Sequence, residues 1–206
     1  MMTDTSAPPV WFRLPPGFHH VSPKDRGALD NIAGALGSPE AQQELSALMD
    51  GLDELAGHHV AFTAVGIHPE EPAGVSTSLF SLAVHTAEPG SLRLNVARTA
   101  LALAGSPLWN NPERRQIDLP STLPCFLVAG TISIPGTDQH MFQAKVATAH
   151  ADGVHVLVLD LTSAATCQGD SYSDILEAVA YTLTFSDPNP TPSTAPRTSR
   201  ILEVLL

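Results

Sequence analysis

Phe126-Leu127-Val128-Ala129-Gly130-Thr131-Ile132-Ser133-Ile134, His140 to Ala149 and Val154 to Leu161 decide the fold. The first run is rich in β-branched and apolar residues and stops at the turn cluster Pro135-Gly136-Thr137-Asp138. The second alternates, with His140, Phe142, Ala144, Val146 and Thr148 on one face and Met141, Gln143, Lys145 and Ala147 on the other. Ala151-Asp152-Gly153 supplies another turn, since Asp and Gly tolerate the positive φ of a tight hairpin. In the third run Val154, Val156, Val158 and Asp160 oppose His155, Leu157, Leu159 and Leu161. The spacing predicts an antiparallel meander across residues 122–162. It is apolar on both faces, so other elements must cover it.

The cover is read outward from there. Trp11-Phe12-Arg13-Leu14-Pro15-Pro16-Gly17-Phe18 is a short extended element that adds an edge strand or packs Trp11 on the core. Ser22-Pro23-Lys24-Asp25 and Ser38-Pro39-Glu40 are two helix starts, with Ser as cap and Pro at the first helical position. They predict a helical pair bent at Gly37 and closed by Gly57. His59 to Ile67 and Val75 to Thr86 read as a hairpin. Ser91 caps a helix from Leu92 to Ala104, whose Leu94, Ala97, Leu101 and Ala104 share one stripe. Leu108 to Arg115 reads as a loop, with a short strand at Ile117 and Leu119. Ser171-Tyr172-Ser173-Asp174 opens a last helix with Ile175, Leu176, Val179, Ala180 and Leu183 on its apolar face.

Strands come in hairpin-like groups rather than alternating singly with helices. That predicts the α+β class: an antiparallel sheet of about five or six strands flanked by helices, with the helical pair near the N-terminus. At 206 residues one domain is expected. Residues 1–9 read as a disordered N-terminus, 10–186 as the domain, and 187–199 as a Pro/Ser/Thr-rich linker. Residues 200–206 are an apolar C-terminal segment that packs on its own domain or docks on a neighbouring chain.

Ten basic residues against 21 acidic ones leave a net charge of -11. Such a chain lacks the basic footprint that nucleic acid or an anionic lipid surface requires. Residues 1–9 have neither a basic region nor an apolar run, and no stretch approaches the length of a membrane-spanning helix. The cytoplasm is the expected compartment, with Cys125 and Cys167 as reduced thiols.

No catalytic pattern emerges. The neighbouring pairs His19-His20 and His58-His59 point to opposite sides of an extended chain and make poor joint ligands. There is no helical His-x-x-x-His pair, Cys-x-x-Cys unit, Gly-x-Ser-x-Gly elbow or glycine-rich phosphate loop. No metal and no cofactor is expected, and the chain reads as a non-enzyme. The candidate partner-binding residues are Trp109, Arg114 and Arg115 in the expected loop, and Ile201, Leu202, Val204, Leu205 and Leu206 in the C-terminal segment. A protein partner or self-association is therefore expected. The alternative is a small-molecule carrier or enzyme with a pocket between helices and sheet, Trp109, Arg114 and histidines at its mouth.

The opening Trp11 to Phe18, the late strand Val154-His155-Val156-Leu157-Val158-Leu159-Asp160-Leu161 and the closing helix Ile175 to Phe185 resemble the Mog1/PsbP-like group, which includes the LpqN-type proteins. The resemblance covers roughly residues 10–186 and implies a helix-flanked antiparallel sheet used as an adaptor or assembly factor. It brings no shared catalytic residues. The two consecutive helices after the opening strand depart from the group's pattern. The same order is also similar to small acidic secretion chaperones. Two lysines against eight arginines suit a high-GC bacterium, where a secretion or contractile system is one assembly to consider.

Overall fold

The computed structural model describes residues 8–21, 60–70, 74–134 and 139–188. The expected helical pair and the segment 200–206 lie outside the described residues. Seven strands form one sheet: β1 (Phe18–His20), β2 (Val60–Glu70), β3 (Gly74–Thr86), β4 (Trp109–Gln116), β5 (Cys125–Ser133), β6 (His140–Ala149) and β7 (His155–Ser163). Their order is β1-β2-β3-β7-β6-β5-β4, and every pairing is antiparallel. Two helices accompany them, α1 (Leu92–Ala104) between β3 and β4 and α2 (Gly169–Tyr181) after β7.

The expectation of a five- or six-stranded sheet led by a helical pair is corrected. The described protein is mostly sheet, with seven strands and two helices among its described residues. The undercount has a physical source in the edges. β1 is three residues long, too short to show a period of two. β4 was expected to be a loop because Trp-Asn-Asn-Pro-Glu-Arg-Arg-Gln is polar and contains proline. An edge strand bonds on one side only and tolerates both.

The central meander and the hairpin follow their apolar alternation closely. β6 is the axis, pairing Val146 with Leu127 of β5 and with Leu159 of β7. Phe142, Ala144 and Val146 point to the α2 side, where Leu127, Leu157, Leu159 and Leu161 meet Tyr172, Leu176 and Val179 of α2. The opposite face of the same strands packs Val128, Ala147 and Val156 against Val96 and Ala100 of α1. Sheet burial on both faces explains why neither face of these strands is polar throughout.

The N-terminal arm closes the α2 side. Trp11 and Thr184 exchange both backbone hydrogen bonds at 2.9 Å. Phe12 stands edge-on to Phe62 with centroids 5.1 Å apart, and Val10, Leu14 and Phe18 pack on the same core.

α1 spans the residues expected but is turned differently. Its buried residues are Asn95, Val96 and Ala100, whereas Leu94 and Leu101 of the expected core stripe are 49% and 61% exposed. Asn95 is drawn inward because its amide donates to the Glu88 carbonyl at 2.8 Å. That bond fixes which face of an Ala/Leu-rich helix meets the sheet.

Candidate interaction site at the β4 edge

β4 ends the sheet, and among the described residues no strand pairs with its outer side. Its first half is irregular: the register shifts between Asn110 and Glu113, and Asn111 takes φ 51° ahead of Pro112. Its second half is regular, with Glu113, Arg114, Arg115 and Gln116 opposite Ala129, Val128, Leu127 and Phe126. The Ile117 N–H donates to the Cys125 carbonyl at 3.0 Å. By alternation Arg115 and Glu113 also turn their backbone groups to β5, and Arg114 and Gln116 present theirs outward.

Side chains alternate likewise. Arg115 reaches the α2 face and pairs with Glu177 at 2.5 Å and, more loosely, with Glu113 at 3.9 Å. Arg114 is exposed on the α1 face. There Ala97, Ala100 and Leu101 of α1 form one wall of a groove of about 380 Å³ whose floor includes Phe126 and Val128. The two arginines expected to form one patch therefore serve opposite faces.

Trp109 is buried at the start of β4, where its indole N–H donates to the Leu103 carbonyl at 2.8 Å. It anchors α1 to the edge strand rather than presenting its ring outward. Ile201, Leu202, Val204, Leu205 and Leu206 lie outside the described residues. Leu94 and Leu101 are the surface residues sequence reasoning missed. The available signal was a second stripe, Leu92, Val96, Ala100 and Leu103, which already supplies the helix with a core face.

Among the described residues three polar clusters lie elsewhere, and each is satisfied internally. The Asp152 carboxylate caps its own turn, accepting the N–H groups of Val154 and His155 at 2.8 and 3.1 Å and contacting the His155 ring at 2.6 Å. Burial pulls its pKa upward, but these bonds and the His150 ring outweigh it and hold Asp152 below the usual carboxylate range. His150 Nδ1 lies 3.0 Å from the Asp152 carboxylate and 3.1 Å from the Asp152 backbone N, and Nε2 donates to the Pro9 carbonyl at 3.2 Å. Gln143, Asp160 and Thr162 bond one another at 2.9 to 3.2 Å, and Lys145 pairs with Asp160.

The third cluster is His68 Nε2 at 3.3 Å from Ser78 Oγ, beside Tyr172, whose hydroxyl donates to Ser76. Burial lowers the pKa of His68 below its ordinary 6.5, which favours the neutral ring. Ser78 Oγ is nevertheless sealed in the interior, where no substrate carbonyl could reach it. Among the described residues no group of three or more His, Cys, Asp and Glu side chains is arranged to hold a metal ion.

Comparison with known proteins adds little. No family model matches this chain, and no curated protein matches it. It is similar to the crystal structure of LpqN, a protein involved in cell envelope biogenesis of Mycobacterium tuberculosis, at 14% identity, over 88% of this chain and 85% of that one, with a TM-score of 0.47. The likeness is weak, and the wider Mog1/PsbP-like group is not shown. Among the described residues no helix is long and apolar enough to cross a membrane.

Proposed function

We propose that this chain is a non-enzymatic, cytoplasmic protein-interaction module: an adaptor, chaperone or assembly subunit that takes an extended segment of another protein along β4. The observation that carries this reading is a strand edge at Glu113–Gln116, unpaired on its outer side among the described residues, beside an exposed Leu101 across an apolar groove. Backbone bonds to an added strand supply affinity, and the groove beside it selects side chains. The acidic balance of the chain favours a neutral or basic partner.

Purification of the tagged protein from its own host, followed by mass spectrometry, tests the reading. A stoichiometric protein partner is expected; a lone protein carrying a small molecule would contradict it.

A second reading, a small-molecule binder, draws on a cleft of about 600 Å³ between the start of α1 and residues 116–124. It has less support, because Trp109, assigned to the mouth of such a pocket, is packed beneath α1.

A further inference from the structure

We infer that the second half of β4 is the twofold interface of a homodimer, with Gln116 on the axis and Arg114 facing Asp118 of the second copy. This rests on the reading of β4 as an interaction edge and names the protein that meets it there: another copy of this chain.

The edge offers a short window of outward backbone groups. Ladder bonds to β5 take those of Glu113, Arg115 and Ile117, whose N–H donates to the Cys125 carbonyl. Arg114, Gln116 and Asp118, all exposed, therefore turn theirs away from β5. Pro112 and Pro120 stand at the next alternate positions and have no N–H to donate. The window thus closes on Arg114, Gln116 and Asp118, with Gln116 at its centre.

A strand that pairs with its own copy about a twofold axis must choose a register. Centring on Gln116 uses the whole window: Gln116 meets Gln116, and Arg114 meets Asp118 on both sides of the axis. These pairs exchange about six backbone hydrogen bonds. Centring on Arg115 slides Asp118 onto Pro112 and sets Arg115 against its own copy. Centring on Arg114 sets two guanidiniums face to face, and centring on Ile117 slides Arg114 onto Pro120.

Charge selects the same register. Among the described residues Arg114 has no ion-pair partner, and the Asp118 carboxylate accepts from the Gln116 amide at 3.2 Å. Opposite charges directly across an antiparallel pair stabilise it, and like charges destabilise it. Arg114 and Asp118 supply both halves of that complementarity, which favours a second copy over a foreign strand. On the other face Arg115 keeps Glu177 and lies opposite Ile117 of the second copy. A foreign segment that uses this edge must displace the second copy.

Sedimentation equilibrium on the full-length chain tests this. The wild type should dimerise, and Arg114→Asp or Asp118→Arg should each weaken association about tenfold or more. The double variant Arg114→Asp/Asp118→Arg should recover it, because the charges are then exchanged across the axis; a merely misfolded single variant would not be rescued. In a Cys167→Ser background, Gln116→Cys should cross-link to itself under mild oxidation, since paired Cα atoms about 5.5 Å apart suit a disulfide. Arg114→Cys should not, its copies lying about 13 Å apart along the strands. A wild type that is monomeric at about 100 μM overturns the proposal, and so does a dimer indifferent to both charge variants. If that monomer still captures a foreign protein and Leu101→Asp abolishes the capture, the β4 reading stands and the second copy alone is wrong.

Discussion

Trp109 on β4 donates its indole N–H to the carbonyl oxygen of Leu103, 2.8 Å away in the last turn of α1. The bond joins α1 to β4 and adds a second donor to a helix-end carbonyl that also accepts the Ser106 N–H at 3.3 Å. Trp109→Phe removes the donor and part of the buried ring. It should cost about 1–3 kcal/mol, combining an unmade hydrogen bond with a small cavity. Urea unfolding measures the loss; a variant as stable as the wild type would show that the groove does not depend on this anchor.

The Arg115–Glu177 pair ties the same edge strand to α2 on the other face. Both side chains are partly exposed, at 36% and 20%, so solvent screens the pair. A double-mutant cycle with Arg115→Ala and Glu177→Ala should give a coupling of no more than about 1 kcal/mol, shrinking as salt rises. A coupling that is several times larger and insensitive to salt would mean the pair is shielded from water.

Gly169 begins α2 beneath the Phe142 ring. A Cβ there would lie 2.7 and 2.8 Å from two ring carbons. Gly→Ala in a helix usually gains about 0.5–1 kcal/mol, but forcing a ring aside in a packed core costs about 1–3 kcal/mol. The second effect is larger, so Gly169→Ala should lower the denaturant midpoint. A raised midpoint would show that Phe142 has room to move.

The two thiols should differ sharply in reactivity. Burial, aided by the Glu177 charge and only partly offset by the Thr148 hydrogen bond, pushes the Cys125 thiol up to about 12. Cys167 is exposed. A thiol reagent should titrate one cysteine in the native protein and both after unfolding, and Cys167→Ser should abolish native labelling.

Acid should weaken the fold in two stages. Burial lowers the pKa of His68 from its ordinary 6.5. The unfolded chain thus takes up a proton that the folded one refuses, and this contribution is lost as pH falls through 6.5. Asp152 is held below its ordinary 3.8, burial opposing and the hydrogen bonds prevailing. Its contribution is present above 3.8 and is lost below it. Denaturant midpoints followed from neutral pH downward should show the first stage disappear in His68→Gln and the second in Asp152→Asn.

What was legible in the sequence follows from how strongly burial writes a period into it. β5, β6 and β7 are covered on both faces, so their apolar runs mark them clearly, and α1 emerged with its ends correct. β4 was invisible because an edge strand answers to water: Asn110, Pro112, Glu113 and Arg114 have no buried period to reveal. The rotation of α1 was lost for a different reason. Leucines and alanines occupy several of its faces, and the side-chain bond from Asn95 to the Glu88 carbonyl chooses among them. The candidate site inherits both gaps. Arg114 and Arg115 were singled out from the sequence, but their division between opposite faces needs the strand, and Leu101 needs the helix rotation.

The most direct test of the account is quantitative binding of the co-purified partner to the wild type and to Leu101→Asp. Leu101 is 61% exposed, so the substitution spares the core. A charge placed in the groove should weaken binding about tenfold or more, with the unfolding midpoint unchanged. Equal affinity for both proteins would contradict the claim that the β4 edge and its groove are where this chain meets other proteins.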